Sequence, residues 1–368
     1  MADVMAWFPA PSGSPSTPSL SVCRRVYRLG SVRYREEAAP PTGDTCLPPP
    51  LTGPLLRRCV ERRARRRRRP TSILLLGDSR LRNLYHHLAQ ELDVPAPAVN
   101  ITPYPFWSRN IHWTNSPERW CRVCPWHCCP RAAAAAGVSL RFEWRPFWTD
   151  ATVTELEAAA ESCESGHSDC PDLVLVNGAL WYSTVMTQWK GQITNMVLLL
   201  RLQMARVVRA LARIATITRT VLKLDEGFTR DVHFLLHKSN LAEIPVMHSV
   251  AYDAARKIPG VVIWSSALPE STGLLRKKCY GMQGRKSPTS SAYPDFSTTS
   301  GQPKNLVMKN ETFIYECGSE PVHAGKATMS KAVQLLFGDM CAGYLKSSEL
   351  QTNMSSSTPV CCYDNKNG

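Results

Sequence analysis

Gly77-Asp78-Ser79 closes the apolar run Ser72-Ile-Leu-Leu-Leu-Gly77 and opens a stretch with helical spacing, so the serine stands between a strand and a helix. In open parallel sheets, sites form outside the carboxyl ends of strands, and a helix N-terminus offers backbone N–H groups to a developing oxyanion. That position suits Ser79 as a nucleophile. A serine hydroxyl is inert near neutral pH until a base takes its proton, and the natural base is a histidine oriented by a carboxylate. Glu320-Pro-Val-His323, in a turn before the last helical stretch, supplies both. Each half is weak alone: Ser79 also reads as a helix N-cap, and Glu and His three residues apart are common on surfaces. Their joint placement, one after the first strand and one before the final helix, makes a catalytic unit of them.

The elements that must hold these residues follow from periodicity. Ser72–Gly77 is short and apolar throughout, as a buried parallel strand requires. Leu81, Leu84, Tyr85, Leu88 and Leu92 then fall on one helical face. The pattern recurs with strands at Ser139–Trp148, Asp172–Asn177, Ile214–Leu224 and Gly260–Trp264, and helices near Thr152–Cys163, Met186–Leu211, Glu243–Lys257 and Ala327–Cys341. Strands alternating with helices predict an α/β/α sandwich around a mainly parallel sheet of about five strands. Lys277–Asn305, rich in Ser, Thr, Gly and Pro, reads as a loop. No internal repeat is visible.

Three features carry a family resemblance: Gly-Asp-Ser after strand one, Gly178-Ala-Leu-Trp181 after a middle strand, and a late acid-x-x-His. Their order resembles the SGNH/GDSL hydrolase superfamily. The longer block Leu75-Leu-Gly-Asp-Ser-Arg-Leu-Arg-Asn-Leu-Tyr85, with Ala179-Leu-Trp181, is more specifically similar to the luminal domain of sialate O-acetyltransferases, Golgi enzymes related to plant and fungal polysaccharide O-acetyltransferases. The likeness spans roughly Ser72 to Ala342. It implies transfer of acetyl from acetyl-CoA, through an acyl-serine, to a hydroxyl of sialic acid, as its CMP-activated form, or of a related glycan. Acetyl-CoA would be a donor substrate, with no bound cofactor. Ser79 would be the nucleophile, His323 the base and Glu320 its orienting acid, where the family carries aspartate. Gly77, Asp78, Arg80, Asn177, Gly178 and Trp181 would form the oxyanion and substrate-binding surround. The superfamily also places a glycine after its second strand, and none occurs between Ser139 and Trp148. An acetyl or carboxyl esterase using the same triad with water, and a degenerate glycan-binding relative, are the alternatives. The resemblance further implies a Golgi location and membrane association in the complete protein.

Arg80 and Arg82 stand in the first turn of the first helix, where the macrodipole disfavours each cation by about 0.3–1 kcal/mol. A bound phosphate or carboxylate, or a local acid, would reverse that. Aromatic residues gather at Tyr104, Phe106, Trp107 and Trp113 and at Phe142, Trp144, Phe147, Trp148 and Trp181. Most rings of this kind are core, and Trp181, just beyond a strand end, is the candidate for a sugar or nucleotide wall. Cys121-Arg-Val-Cys124-Pro-Trp-His127-Cys128-Cys129 has metal-knuckle spacing without a second knuckle, so disulfides are the reading and no metal site is assigned. Cys163 with Cys170, and Cys317 with Cys341, are two pairings the order of elements allows. His86, His87 and His167 read as surface, packing or loop residues.

The 368-residue chain has 43% hydrophobic and 20% charged residues, a globular composition that excludes wholesale disorder. Its net charge is +14, and Arg57 to Arg69 supplies most of it, with nine arginines against Glu61. No zinc finger, recognition helix or aromatic RNA-binding pattern accompanies that run, so it reads as a solvated linker or a processing tract rather than a nucleic-acid site. With eleven prolines, residues 1–70 read as an irregular extension, 71–345 as the catalytic domain and 346–368 as a polar, mobile tail. Fourteen cysteines and the sequons at Asn100, Asn310 and Asn353 favour an oxidising lumen. The sequence shows no signal peptide and no run apolar enough to span a membrane.

Overall fold

The computed structural model describes residues 26–28, 46–95, 131–135, 137–178, 181–182, 193–225, 243–265, 326–350 and 360–361. Strands β1 (Thr71–Gly77), β2 (Arg131–Ala135), β3 (Val138–Trp144), β4 (Leu173–Val176), β5 (Arg219–Lys223) and β6 (Val261–Trp264) form one sheet in the order β2-β3-β1-β4-β5-β6. Five strands run parallel, and β2 joins the edge antiparallel to β3. The fold is α/β with a mixed six-stranded sheet, one strand more than periodicity predicts. The extra strand is Arg-Ala-Ala-Ala-Ala, whose alanines favour helix. Pairing with β3 through a tight return at Gly137, φ +88°, overrides that preference.

Helices cover both faces because both faces of each central strand are apolar. Ile73, Leu75, Leu173, Leu175 and Val221 pack with α1 (Gly53–Arg67), α2 (Ser79–Glu91) and α6 (Lys326–Met340). Leu74, Leu76, Val174, Val176 and Leu222 pack with α3 (Asp150–Glu164), α4 (Ile193–Ala215) and α5 (Glu243–Ala255). A short α7 (Ser347–Leu350) follows. Side chains alternate across the sheet, so a strand buried on both sides is apolar at most of its positions, as β4 is at all four. Each fully buried Leu or Ile contributes roughly 1.5–3 kcal/mol relative to exposure.

The arginine-rich tract is not an irregular linker. Leu56, Cys59, Val60 and Arg63 recur at helical spacing and are buried, so an apolar stripe hidden among arginines docks α1 onto the core. Cys59 is bonded to Cys341 and Cys46 to Cys361. The pairing of Cys341 with Cys317 expected from sequence is thereby replaced, while Cys163 does close a short loop with Cys170. The C-terminal stretch is not wholly a loose tail either, since Leu350, Val360 and Cys361 are buried. The strand expected to begin at Ile214 begins at Arg219, because Ile214 and Ala215 complete α4. The loop at 277–305 and the cysteine cluster at 121–129 lie outside the described residues.

Candidate active site

The order β3-β1-β4-β5-β6 is doubly wound, with the winding direction reversing between β1 and β4. The crevice outside the carboxyl ends of the strands at such a switch point is where ligands bind in this architecture. Ser79 stands there, as the first residue of α2. It is not the cap: Asp78 is, with extended backbone and a side chain accepting from the Arg80 N–H at 2.9 Å. Asp78 is fully buried and Ser79 half-buried, so the chain turns with the carboxylate inward and the serine at the rim.

Asn177, directly after β4, holds that turn in place. Its Oδ1 accepts from the Asp78 N–H at 3.1 Å, which fixes the orientation of the amide. Its Nδ2 then donates to Asp78 Oδ1 at 3.1 Å and to Asp225 Oδ1 at 2.7 Å. Both amide hydrogens are thus committed to carboxylates, and an oxyanion role for Asn177 would require one of these bonds to be exchanged. Gly77 makes the approach possible, since a Cβ there would fall 1.9 Å from Asn177 Oδ1. Gly178 adopts φ +148°, and a Cβ on it would meet Trp148 Nε1 at 2.8 Å. That indole donates to the Asn177 carbonyl at 3.2 Å and anchors the loop from behind.

Asp225 follows β5 and is 1% exposed. The three residues Asp78, Asn177 and Asp225 therefore lace the carboxyl ends of three adjacent parallel strands. Burial, and then the nearby Asp225 carboxylate, push the Asp78 carboxyl up to about 6, against the opposing pull of Arg80 and its N–H. Sequence reading missed Asp225. The available signal was an acid placed just after a predicted strand's carboxyl end.

Arg80 is buried, and its charge favours the ionised Asp78 beside it, so a local acid answers the first of the two first-turn cations. Arg82 lies over the Trp144 ring at 5.5 Å. Trp181, half-buried, meets Trp144 edge-on at 5.7 Å and Phe147 at 6.3 Å. These rings form an aromatic wall beside the crevice, built from the ends of β3 and β4.

Glu320 and His323 lie outside the described residues. The helix that follows them, α6, packs against α2, with His87 Nε2 and Ser330 Oγ 3.0 Å apart. Near its far end Asp339 pairs with Arg219 at the amino end of β5, at 3.0 Å. Helix α6 thus runs opposite to the strands. Its 15 residues span about 22 Å, close to the roughly 23 Å of β1, so Lys326 starts at the same end of the sheet as Ser79. Among the described residues no group of His, Cys, Asp and Glu could hold a metal ion, and no helix is long and apolar enough to cross a membrane. The disulfides fit a secreted or luminal protein.

No family model matches the chain, and no curated protein matches it. Among solved structures, one similar chain is LAE5, an α/β hydrolase from the metagenome of Lake Arreo, Spain. It is 11% identical with a TM-score of 0.36, over 76% of this chain and 98% of that one.

Proposed function

We propose that the protein is a serine-dependent O-acetyltransferase that moves acetyl from acetyl-CoA to a hydroxyl of sialic acid, in CMP-activated form, or of a related glycan. The observation that carries the reading is the position of Ser79: first residue of a helix, at the switch point of a doubly wound sheet, on a turn whose capping carboxylate is bonded to Asn177 of the neighbouring strand end, the same amide that holds Asp225 of the next. Such a turn holds a nucleophile in one geometry, and that positioning lowers the entropic part of the barrier.

Ser79 Oγ would attack the thioester carbonyl while His323 takes its proton. Collapse of the tetrahedral intermediate would expel the CoA thiolate, which receives that proton. A sugar hydroxyl would then attack the acyl-serine, its proton passing through His323 back to Ser79 Oγ. Glu320 would orient the imidazole. Backbone N–H groups at the start of α2 would face the oxyanion, and the Trp144–Trp181 wall would stack an acceptor sugar.

Intact mass after incubation with acetyl-CoA, beside Ser79→Ala and His323→Ala, tests this. Acetyl on Ser79, discharged faster by CMP-sialic acid than by water, is the expected result. Discharge at one rate with or without acceptor would make the protein an esterase, and absence of an adduct would remove the donor or the catalytic reading.

A further inference from the structure

At the end of the sheet opposite Ser79, three guanidinium groups converge on one carboxylate oxygen. Arg63 Nη2 lies 3.4 Å and Arg69 Nη2 2.8 Å from Asp172 Oδ1, and Arg67 Nη1 pairs with the same atom. The other oxygen, Oδ2, accepts the Ser72 N–H at 2.9 Å. Arg219, at the start of β5, is close enough to act on Arg63 and Arg67 electrostatically and is itself paired with Asp339. Four guanidiniums therefore share two carboxylates, an excess of two positive charges in one place.

The cluster is not at rest with its own partners. The buried Nε of Arg63 has no hydrogen-bond partner, although that side chain is only 10% exposed. Burial, and then the neighbouring guanidiniums, pull the Arg67 pKa below its usual range, and burial followed by Arg219 does the same to Arg63. The rim is open, because the Arg67 and Arg69 side chains are 39% and 27% exposed.

We infer that Arg63, Arg67, Arg69 and Arg219 form a binding site for an oxyanion dianion, a phosphate or sulfate group, at the amino end of the sheet. The charge of such a group equals the excess. Its tetrahedral oxygens accept the paired N–H donors that a guanidinium fork presents, and they can reach those that Asp172, with one oxygen shared three ways, leaves poorly bonded. Arg69 is fixed for this role by a second bond, from Nη1 to the Cys170 carbonyl at 3.0 Å, beside the Cys163–Cys170 disulfide. The site stands apart from the proposed catalytic crevice and does not depend on it.

Thermal unfolding of the whole protein in inorganic phosphate or sulfate, against chloride at matched ionic strength, tests the inference. Matching removes general screening. At millimolar phosphate the melting temperature should rise by about 2 °C or more, and Arg67→Gln and Arg69→Gln should lose that rise. Without phosphate, Arg67→Gln should be at least as stable as the parent, because like charges have been thinned. No rise in the parent, or an equal rise in both variants, would overturn the site. Sedimentation with vesicles containing phosphatidic acid, competed by free phosphate, distinguishes the source: competed binding identifies a lipid headgroup, and a thermal response without sedimentation identifies the free anion.

Discussion

Asn177 and Asp225 are joined by a 2.7 Å hydrogen bond that crosses from the end of β4 to the end of β5, and through the same amide Asn177 reaches Asp78, just beyond β1. One side chain thereby ties the turn that presents Ser79 to the sheet. The tie brings two buried carboxylates close enough to repel.

Asp225→Asn should therefore alter the pH dependence of stability. The Asp78 carboxyl is raised in the folded state to about 6 from an ordinary value near 3.8. Between those values the folded protein holds a proton that the unfolded chain has released, so this residue's contribution to stability falls as pH rises through that window. Removing the Asp225 charge should flatten the slope and raise stability at pH 7 by about 1 kcal/mol, since burial accounts for the larger part of the shift. Melting temperatures at pH 4, 5, 6 and 7 check it; equal slopes in parent and variant would refute the coupling.

Gly77→Ala should displace Asn177. The added methyl meets Oδ1 at 1.9 Å, and relief costs about 1–3 kcal/mol. Because the displaced amide holds Asp78, Ser79 should react at least tenfold more slowly with a fluorophosphonate probe, under conditions where circular dichroism shows the variant folded. Unchanged labelling would show that the turn is held by something else.

Much of this arrangement is legible in the residues. Four consecutive apolar residues, Ile73 to Leu76, leading into Gly-Asp-Ser mark β1, and Leu81, Leu84, Tyr85 and Leu88, all buried, mark α2. What escapes are features decided by partners far along the chain. An alanine run becomes an edge strand only because β3 offers its free side. Arg57 to Arg69 reads as a charged tract until Leu56, Cys59, Val60 and Arg63 are seen to share a face. Asp225 has meaning only once β5 lies beside β4.

Glu349→Gln should loosen α1 from α7. The Arg62 guanidinium, first, and then the Lys346 N–H hold the Glu349 carboxyl down at about 2. A depressed carboxyl stabilises above the ordinary value of 4.5 and loses that contribution as pH falls toward 2. The site is near the surface, so the loss at pH 7 should be no more than about 1 kcal/mol. Parent and variant should approach each other as pH falls from 4.5 and converge only below about pH 2, which acid titration of melting temperature would detect.

Replacing Cys59 and Cys341 together by serine should cost about 2–5 kcal/mol. The bond joins α1 to the end of α6, so Ser79 acylation should fall along with stability if α6 brings His323 to the crevice. Loss of stability with acylation at the parent rate would show that α6 needs no such anchor.

The Cys59–Cys341 bond also turns β1 through α6 into a covalent ring of chain. A protease that cuts once within it opens the ring without releasing anything. Such a nicked molecule keeps its mass apart from one water and runs as a single species until reductant is added, when it falls into fragments. Survival of a single cut is thus a property of the covalent structure itself, separate from how tightly the core is packed.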